Sequence, residues 1–151
     1  MQLIKCLGYA GLLPFAVLPL AYHMQWLPVQ WLSGSTQLLQ LYQYYSALIL
    51  GFMAGVLWPV LYQPAGKQSD ANTLALLAVS FPVISIICLA LLPDYFLPLQ
   101  ALLFLLLRLA EFHSGINQRY GKDYRTLRNA LTLVVVVSHV VMFALIQLAA
   151  A

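Results

Sequence analysis

Residues 97–113 read LPLQALLFLLLRLAEFH. A helix needs about 20 mostly apolar residues to cross a hydrocarbon core of about 30 Å. Only eleven uncharged residues, Leu97–Leu107, precede Arg108, and Glu111 follows it at i+3. The stretch spans a bilayer only if it carries both charges inside. At about 1.5 Å per residue, Arg108 falls about 15 Å from the end that begins at Leu97, near the midplane, and Glu111 about 5 Å further on. A charge at the centre of a membrane helix costs about 2.5–3.5 kcal/mol on insertion scales. Residues at i and i+3 share a helix face, so an Arg–Glu pair lowers that cost. Both side chains should turn toward other helices rather than lipid.

The rest of the chain fits the same solvent. Of its 151 residues, 63% are hydrophobic and 7% charged, whereas a soluble domain carries roughly 25% charge. Five apolar stretches follow, at residues 6–24, 41–62, 73–92, 97–113 and 129–150. Lipid offers no partner to exposed backbone groups, so each is expected to be a helix. This includes the valine run 134–137, which would read as strand in water. The expectation is an all-α polytopic membrane protein, one transmembrane domain over residues 1–151 forming a five-helix bundle.

The seven Lys and Arg residues orient it. Lys5 precedes the first stretch and Lys67 lies between the second and third. Arg119, Lys122, Arg125 and Arg128 lie between the fourth and fifth. The two other connections hold no Lys or Arg, only Asp94. By the positive-inside rule, the N-terminus is expected on the cytoplasmic side and the C-terminus on the opposite, outer side. Basic flanks of this kind hold to anionic headgroups. No basic stripe stands apart from the spans, which argues against nucleic acid. Lys5 with its apolar run resembles a secretory signal, but Ala21-Tyr22-His23 offers no cleavage site and the helix should stay. Cys6 and Cys88 fall at opposite ends of the bundle, too far apart for a disulfide.

The connections and faces add detail. Trp26, Trp31, Tyr42, Tyr44 and Tyr45 read as an aromatic belt at the outer interface, and residues 33–36 as a turn offering N-caps to the second helix. The four-residue link Pro93–Phe96 makes the third and fourth spans antiparallel neighbours. Pro98 suits a first helical turn, while Pro14, Pro19 and Pro82 should kink their helices. Gly8 and Gly11 on the first span, with Ala47, Gly51 and Gly55 on the second, suggest a close seam between the two rather than a homodimer face. Tyr120, Tyr124, Leu127 and Leu131 fall at helical spacing and read as an amphipathic lead-in at the headgroups.

His139 counts about 13–15 Å from the start of the fifth span, matching the depth of Arg108 and Glu111. The three form a candidate intramembrane cluster, either a proton relay or anion site, or a buried structural pair with snorkelling arginine. His23, His113 and His139 fall at three different depths, which disfavours a bis-His haem, and no metal-ligand spacing is present. Gly66-Lys67-Gln68-Ser69 lacks the rest of a phosphate loop. No metal, no cofactor and no catalytic residue is expected.

Three segments together carry a likeness. They are Leu7-Gly8-Tyr9-Ala10-Gly11-Leu12-Leu13-Pro14-Phe15, the stretch from Tyr45 to Trp58, and Tyr124-Arg125-Thr126-Leu127-Arg128-Asn129-Ala130-Leu131-Thr132. The chain resembles the small bacterial membrane-protein family of unknown function related to mitochondrial transmembrane protein 69. The resemblance implies a compact multi-span inner-membrane protein and draws attention to Gly51, Gly55, Trp58, Tyr124, Arg125, Arg128 and Thr132. That family usually has His before the Trp, where this chain has Leu57. Arg125 and Arg128, with Tyr124, are candidates to contact a lipid headgroup or to anchor the last helix.

Two functional readings follow. The first is a non-enzymatic accessory, assembly or stabilising component of a larger membrane complex, held through membrane-protein partners or as a homo-oligomer. The alternative is a small proton, anion or solute transporter built on Arg108, Glu111 and His139, which at this size would need a dimer.

Overall fold

The computed structural model of the chain describes residues 2–24, 35–58 and 68–150. Seven α-helices account for nearly all of them, and no strand occurs among the described residues. Helices α1 (Gln2–Ala10) and α2 (Leu13–Met24) are two pieces of the first apolar stretch. Helix α3 is Ser35–Ala54, continued by a 3-10 turn at Gly55–Leu57. Helix α4 is Gln68–Leu91, and a 3-10 turn at Pro93–Tyr95 leads into α5, Phe96–His113. A short α6 (Ile116–Arg119) precedes α7, Lys122–Ala150.

Among the described residues, four segments are long and apolar enough to cross a membrane: Cys6–Met24, Ala71–Leu91, Pro93–His113 and Lys122–Ala149. Helix α3 has the length, but Thr36, Gln37, Gln40 and Gln43 dilute it. It also begins six residues before the expected 41 and leaves α geometry after Ala54; residues 59–62 lie outside the described part. Helix α7 likewise begins at Lys122 rather than 129, so the amphipathic lead-in is its continuous first turns from Tyr124 on, while Tyr120 lies before it in extended backbone. Trp26, Trp31, Ser33 and Gly34, parts of the expected loop, lie outside the described residues.

Proline chemistry explains the first break. Pro14 has no N–H, and its ring crowds the carbonyl four residues back. The chain turns at Gly11–Leu12, where the Leu12 N–H bonds the Tyr9 carbonyl in a tighter 3-10 manner (3.0 Å). The Tyr45 hydroxyl donates to the Gly11 carbonyl (2.8 Å) and ties the break to α3.

The direction of each helix follows from who meets whom. Gly8 faces Leu127, and Phe15 meets Ser138, so α1–α2 run parallel to α7. Met53 meets Arg128 while Ser46 meets His139, so α3 runs against α7. Glu111 meets Arg128 and Phe104 meets His139, so α5 also runs against it. Ser85 bonds Gln100 across the short link, making α4 and α5 antiparallel as expected. The helices alternate, and the ends of α3 and α5 gather with the starts of α1 and α7.

Phe15, Tyr42, Leu50, Leu57, Phe96, Phe104, Leu107 and Met142 fill the centre. The outer faces stay apolar, with Leu76, Leu91 and Leu148 at 70%, 73% and 74% exposure. Water would penalise such a surface; hydrocarbon does not. The chain is a multi-pass membrane protein by this measure.

Candidate functional site

Glu111 is fully buried near the end of α5, and two arginines share it. Arg108, one turn back on the same helix, places Nη1 2.6 Å from Oε2. Arg128, in the second turn of α7, donates Nε to Oε1 at 2.9 Å and closes on the same oxygen through Nη2. The expected Arg108–Glu111 pair is therefore present but incomplete, because Arg128 belongs to it. Two guanidinium groups and one carboxylate leave the cluster with one excess positive charge.

The remaining donors of both arginines go to neutral groups. Arg128 Nη2 donates to the Met53 carbonyl (2.8 Å). That carbonyl lies in the last turn of α3, where C=O groups lack helical partners and a cation complements the helix dipole. Arg108 donates Nε (2.9 Å) and Nη2 (2.6 Å) to Asn129 Oδ1, and Nη2 to Asn117 Oδ1 (2.7 Å). Its guanidinium carbon also sits 4.2 Å from the Phe112 ring centroid, within cation–π range. The cluster thus joins α3, α5, α6 and α7. Arg128 is only 3% exposed, because its register on α7 turns it inward onto Glu111. Arg125 stays half-buried, reaches the Tyr120 carbonyl at 3.4 Å, and has a buried Nε without a hydrogen-bond partner.

Asn117 reaches Arg108 because the chain reverses at Gly115. This residue has φ +74°, the left-handed conformation that ends many helices. The Ser114 N–H closes α5 on the Ala110 carbonyl (2.9 Å). A side chain in that conformation costs about 1–2 kcal/mol. Gly115→Ala should lower stability by about that amount, read from thermal unfolding in detergent, although nothing crowds the added methyl.

His139 is not part of this cluster. The shared depth expected for it came from counting α7 from residue 129, but Glu111 is level with Arg128. His139 is eleven residues beyond, about 16 Å along the helix. It has its own buried network. Nδ1 lies 2.7 Å from the Val135 carbonyl and 3.3 Å from the Tyr42 hydroxyl, and Nε2 lies 2.7 Å from Ser46 Oγ. Tyr42 Oη and Ser138 Oγ are 2.8 Å apart, and Ser138 Oγ donates to the Phe15 carbonyl at 2.6 Å.

Each hydroxyl has one proton, so these directions follow. Ser138 donates to Phe15, hence Tyr42 donates to Ser138. A Nδ1–H donated to Val135 leaves Nε2 to accept from Ser46. Phe15, Tyr42 and Phe104 ring the imidazole with centroids 5.1–5.7 Å away. A serine 2.7 Å from a histidine has the spacing of a nucleophile and its base, yet Ser46 and His139 are both 0% exposed. The arrangement fixes helices. It also moves Tyr42 from the expected interfacial belt into the bundle, while Tyr44 remains outside at 61% exposure. Among the described residues no three His, Cys, Asp or Glu side chains converge as metal ligands.

A family model described as a protein of unknown function, DUF3429, matches residues 1–144. The chain belongs to this family. No curated protein and no solved structure matches it.

The glycines singled out in this DUF3429 protein divide between the expected seam, where Gly11 meets Tyr45 of α3, and other contacts. A Cβ on Gly8 would come 3.1 Å from Leu127 of α7, and Gly11 carries the carbonyl held by Tyr45. Gly51 faces Pro82 of α4, where a Cβ would sit at 3.5 Å, and a Cβ on Gly55 would meet nothing within 4 Å. The small residues therefore serve three different partners, because α1, α4 and α7 all border α3 or each other. Trp58 is 43% exposed, while Leu57 beside it is fully buried in the core. Tyr124 and Arg128 border a cavity of about 610 Å³ between α1, α3 and α7.

Proposed function

We propose that this protein is a non-enzymatic component of a bacterial inner membrane, an accessory, assembly or stabilising subunit of a larger complex. Kinship with mitochondrial transmembrane protein 69, a cytoplasmic N-terminus and a periplasmic C-terminus belong to the same proposal. One observation carries it: two networks of interior polar side chains bond one another and the carbonyls that helix ends and prolines leave open. Glu111, Arg108 and Arg128 join four helices, and His139 with Tyr42, Ser46 and Ser138 joins α2, α3 and α7. Such a bundle is stiff inside and apolar outside, which suits contact with other membrane helices.

Gentle solubilisation followed by native electrophoresis tests the reading. The expected result is migration well above one protomer with a co-purifying membrane protein; migration as a lone protomer sinks it.

A second reading, a proton or anion transporter working as a dimer, draws support from the excess positive charge on the Arg108–Glu111–Arg128 cluster. It loses His139 as a member of that site. Reconstituted vesicles that show no pH-dependent or anion flux above protein-free vesicles would remove it.

A further inference from the structure

We infer that the cavity between α1, α3 and α7 binds an anionic phospholipid, with its phosphate at Arg128 and an acyl chain along the apolar walls. This goes beyond the accessory reading and does not depend on it.

The cavity holds about 610 Å³, within the roughly 300–1,000 Å³ of ordinary ligand pockets. Its walls are aliphatic or aromatic, including Leu12, Ile49, Phe52 and Leu131, and it extends along α7 from Tyr124 to Val135. Eleven residues of helix measure about 16 Å, so the space is elongated along the bundle rather than round. An acyl chain has that form.

The charged end points to the headgroup. Arg128 carries the one formal charge among the described lining residues, and it is 3% exposed. Its Nε and Nη2 are engaged by Glu111 and the Met53 carbonyl, and its Nη1 has no hydrogen-bond partner among the described residues. Glu111 already answers Arg108, so among the described residues the cluster holds two guanidinium groups to one carboxylate. Excess buried charge is costly in hydrocarbon. A phosphate oxygen on Nη1 would neutralise it with a charge-assisted bond, and the apolar walls would select a phosphate that carries an acyl chain. Arg125 lies one turn nearer the start of α7, with its own Nε unpartnered.

The test uses the full chain purified in neutral detergent, with phosphatidylglycerol, phosphatidylcholine and inorganic phosphate as separate probes. Native mass spectrometry and the thermal midpoint read binding. Phosphatidylglycerol should bind about tenfold more tightly than phosphatidylcholine and raise Tm. Leu131→Trp should fill the cavity and abolish phosphatidylglycerol retention while leaving the lipid-free Tm unchanged. If that variant does not accumulate, Ile49→Trp fills the space from the α3 side and is judged by the same loss. Equal retention of both lipids, full retention by the filled variant, or a Tm rise from inorganic phosphate alone would overturn the inference. Displacement of bound lipid by a co-purified protein helix would assign the cavity to a partner instead, and would also overturn it.

Discussion

Glu111→Gln should be the most damaging single substitution in this chain, lowering stability by about 3–5 kcal/mol. The amide keeps the shape but only one acceptor oxygen, so the charge is lost together with the bond to one arginine, whose N–H groups then face an NH2 donor. Two buried guanidinium groups would then face each other across a neutral residue. Arg108→Leu should cost clearly less. It removes one of the two cations, and Glu111 keeps Arg128 through Nε and Nη2. The variant cluster is electrically balanced, and the main loss is the bonds to Asn117 and Asn129. A simple two-member pair makes a different forecast, since removal of either partner would then strand the other equally. The double variant Arg108→Leu/Glu111→Leu separates the two cases as well. For an isolated pair it should restore stability; here it leaves Arg128 buried without its carboxylate and should remain near the Glu111→Gln level. Only adding Arg128→Leu should recover stability. Unfolding in mixed micelles and accumulation in the membrane read all four variants, and equal damage from Glu111→Gln and Arg108→Leu would rule out the shared carboxylate.

Residues 97–113 carried the reliable part of this in their spacing. An arginine and a glutamate at i and i+3 inside an apolar run must face protein, and they do. What the spacing hid was Arg128. It stands among Arg119, Lys122 and Arg125, where the positive-inside rule explains every cation without requiring any to be buried. The start of α7 was the obscured signal. Tyr124, Leu127 and Leu131 already repeat at helical spacing, and carrying that helix back to Lys122 puts Arg128 within its second turn. The same shift moves His139 away from Glu111. Tyr42 and Ser46 were hidden for a related reason: α3 begins at Ser35, so a tyrosine that reads as interfacial from an apolar run starting at residue 41 lies two turns inside the helix. Apolar runs locate what lipid touches. They do not locate the polar side chains that the bundle itself encloses, and both networks of this protein are built from those.

Pro19 and Ser138 show the point at a single hydrogen bond, and they make the second large forecast. Proline lacks the N–H that would bond the carbonyl four residues earlier, and for Pro19 that carbonyl belongs to Phe15. Ser138 of α7 supplies the missing donor at 2.6 Å, and Tyr42 in turn donates to Ser138. Ser138→Ala should therefore strand two buried groups, the Phe15 carbonyl and the Tyr42 hydroxyl, at about 1–3 kcal/mol each. In a Pro19→Ala background the helix regains a donor for Phe15. The cost of Ser138→Ala should then fall by at least about 1 kcal/mol, since only Tyr42 remains unsatisfied. Denaturation of the wild type, both single variants and the double variant gives the coupling directly. Strict additivity would mean that Ser138 does not replace the lost helical bond. Coupling of the expected sign would make Pro19 the cause of a polar residue 119 positions later: lipid supplies no donor to an open carbonyl, so the proline in α2 requires one from α7.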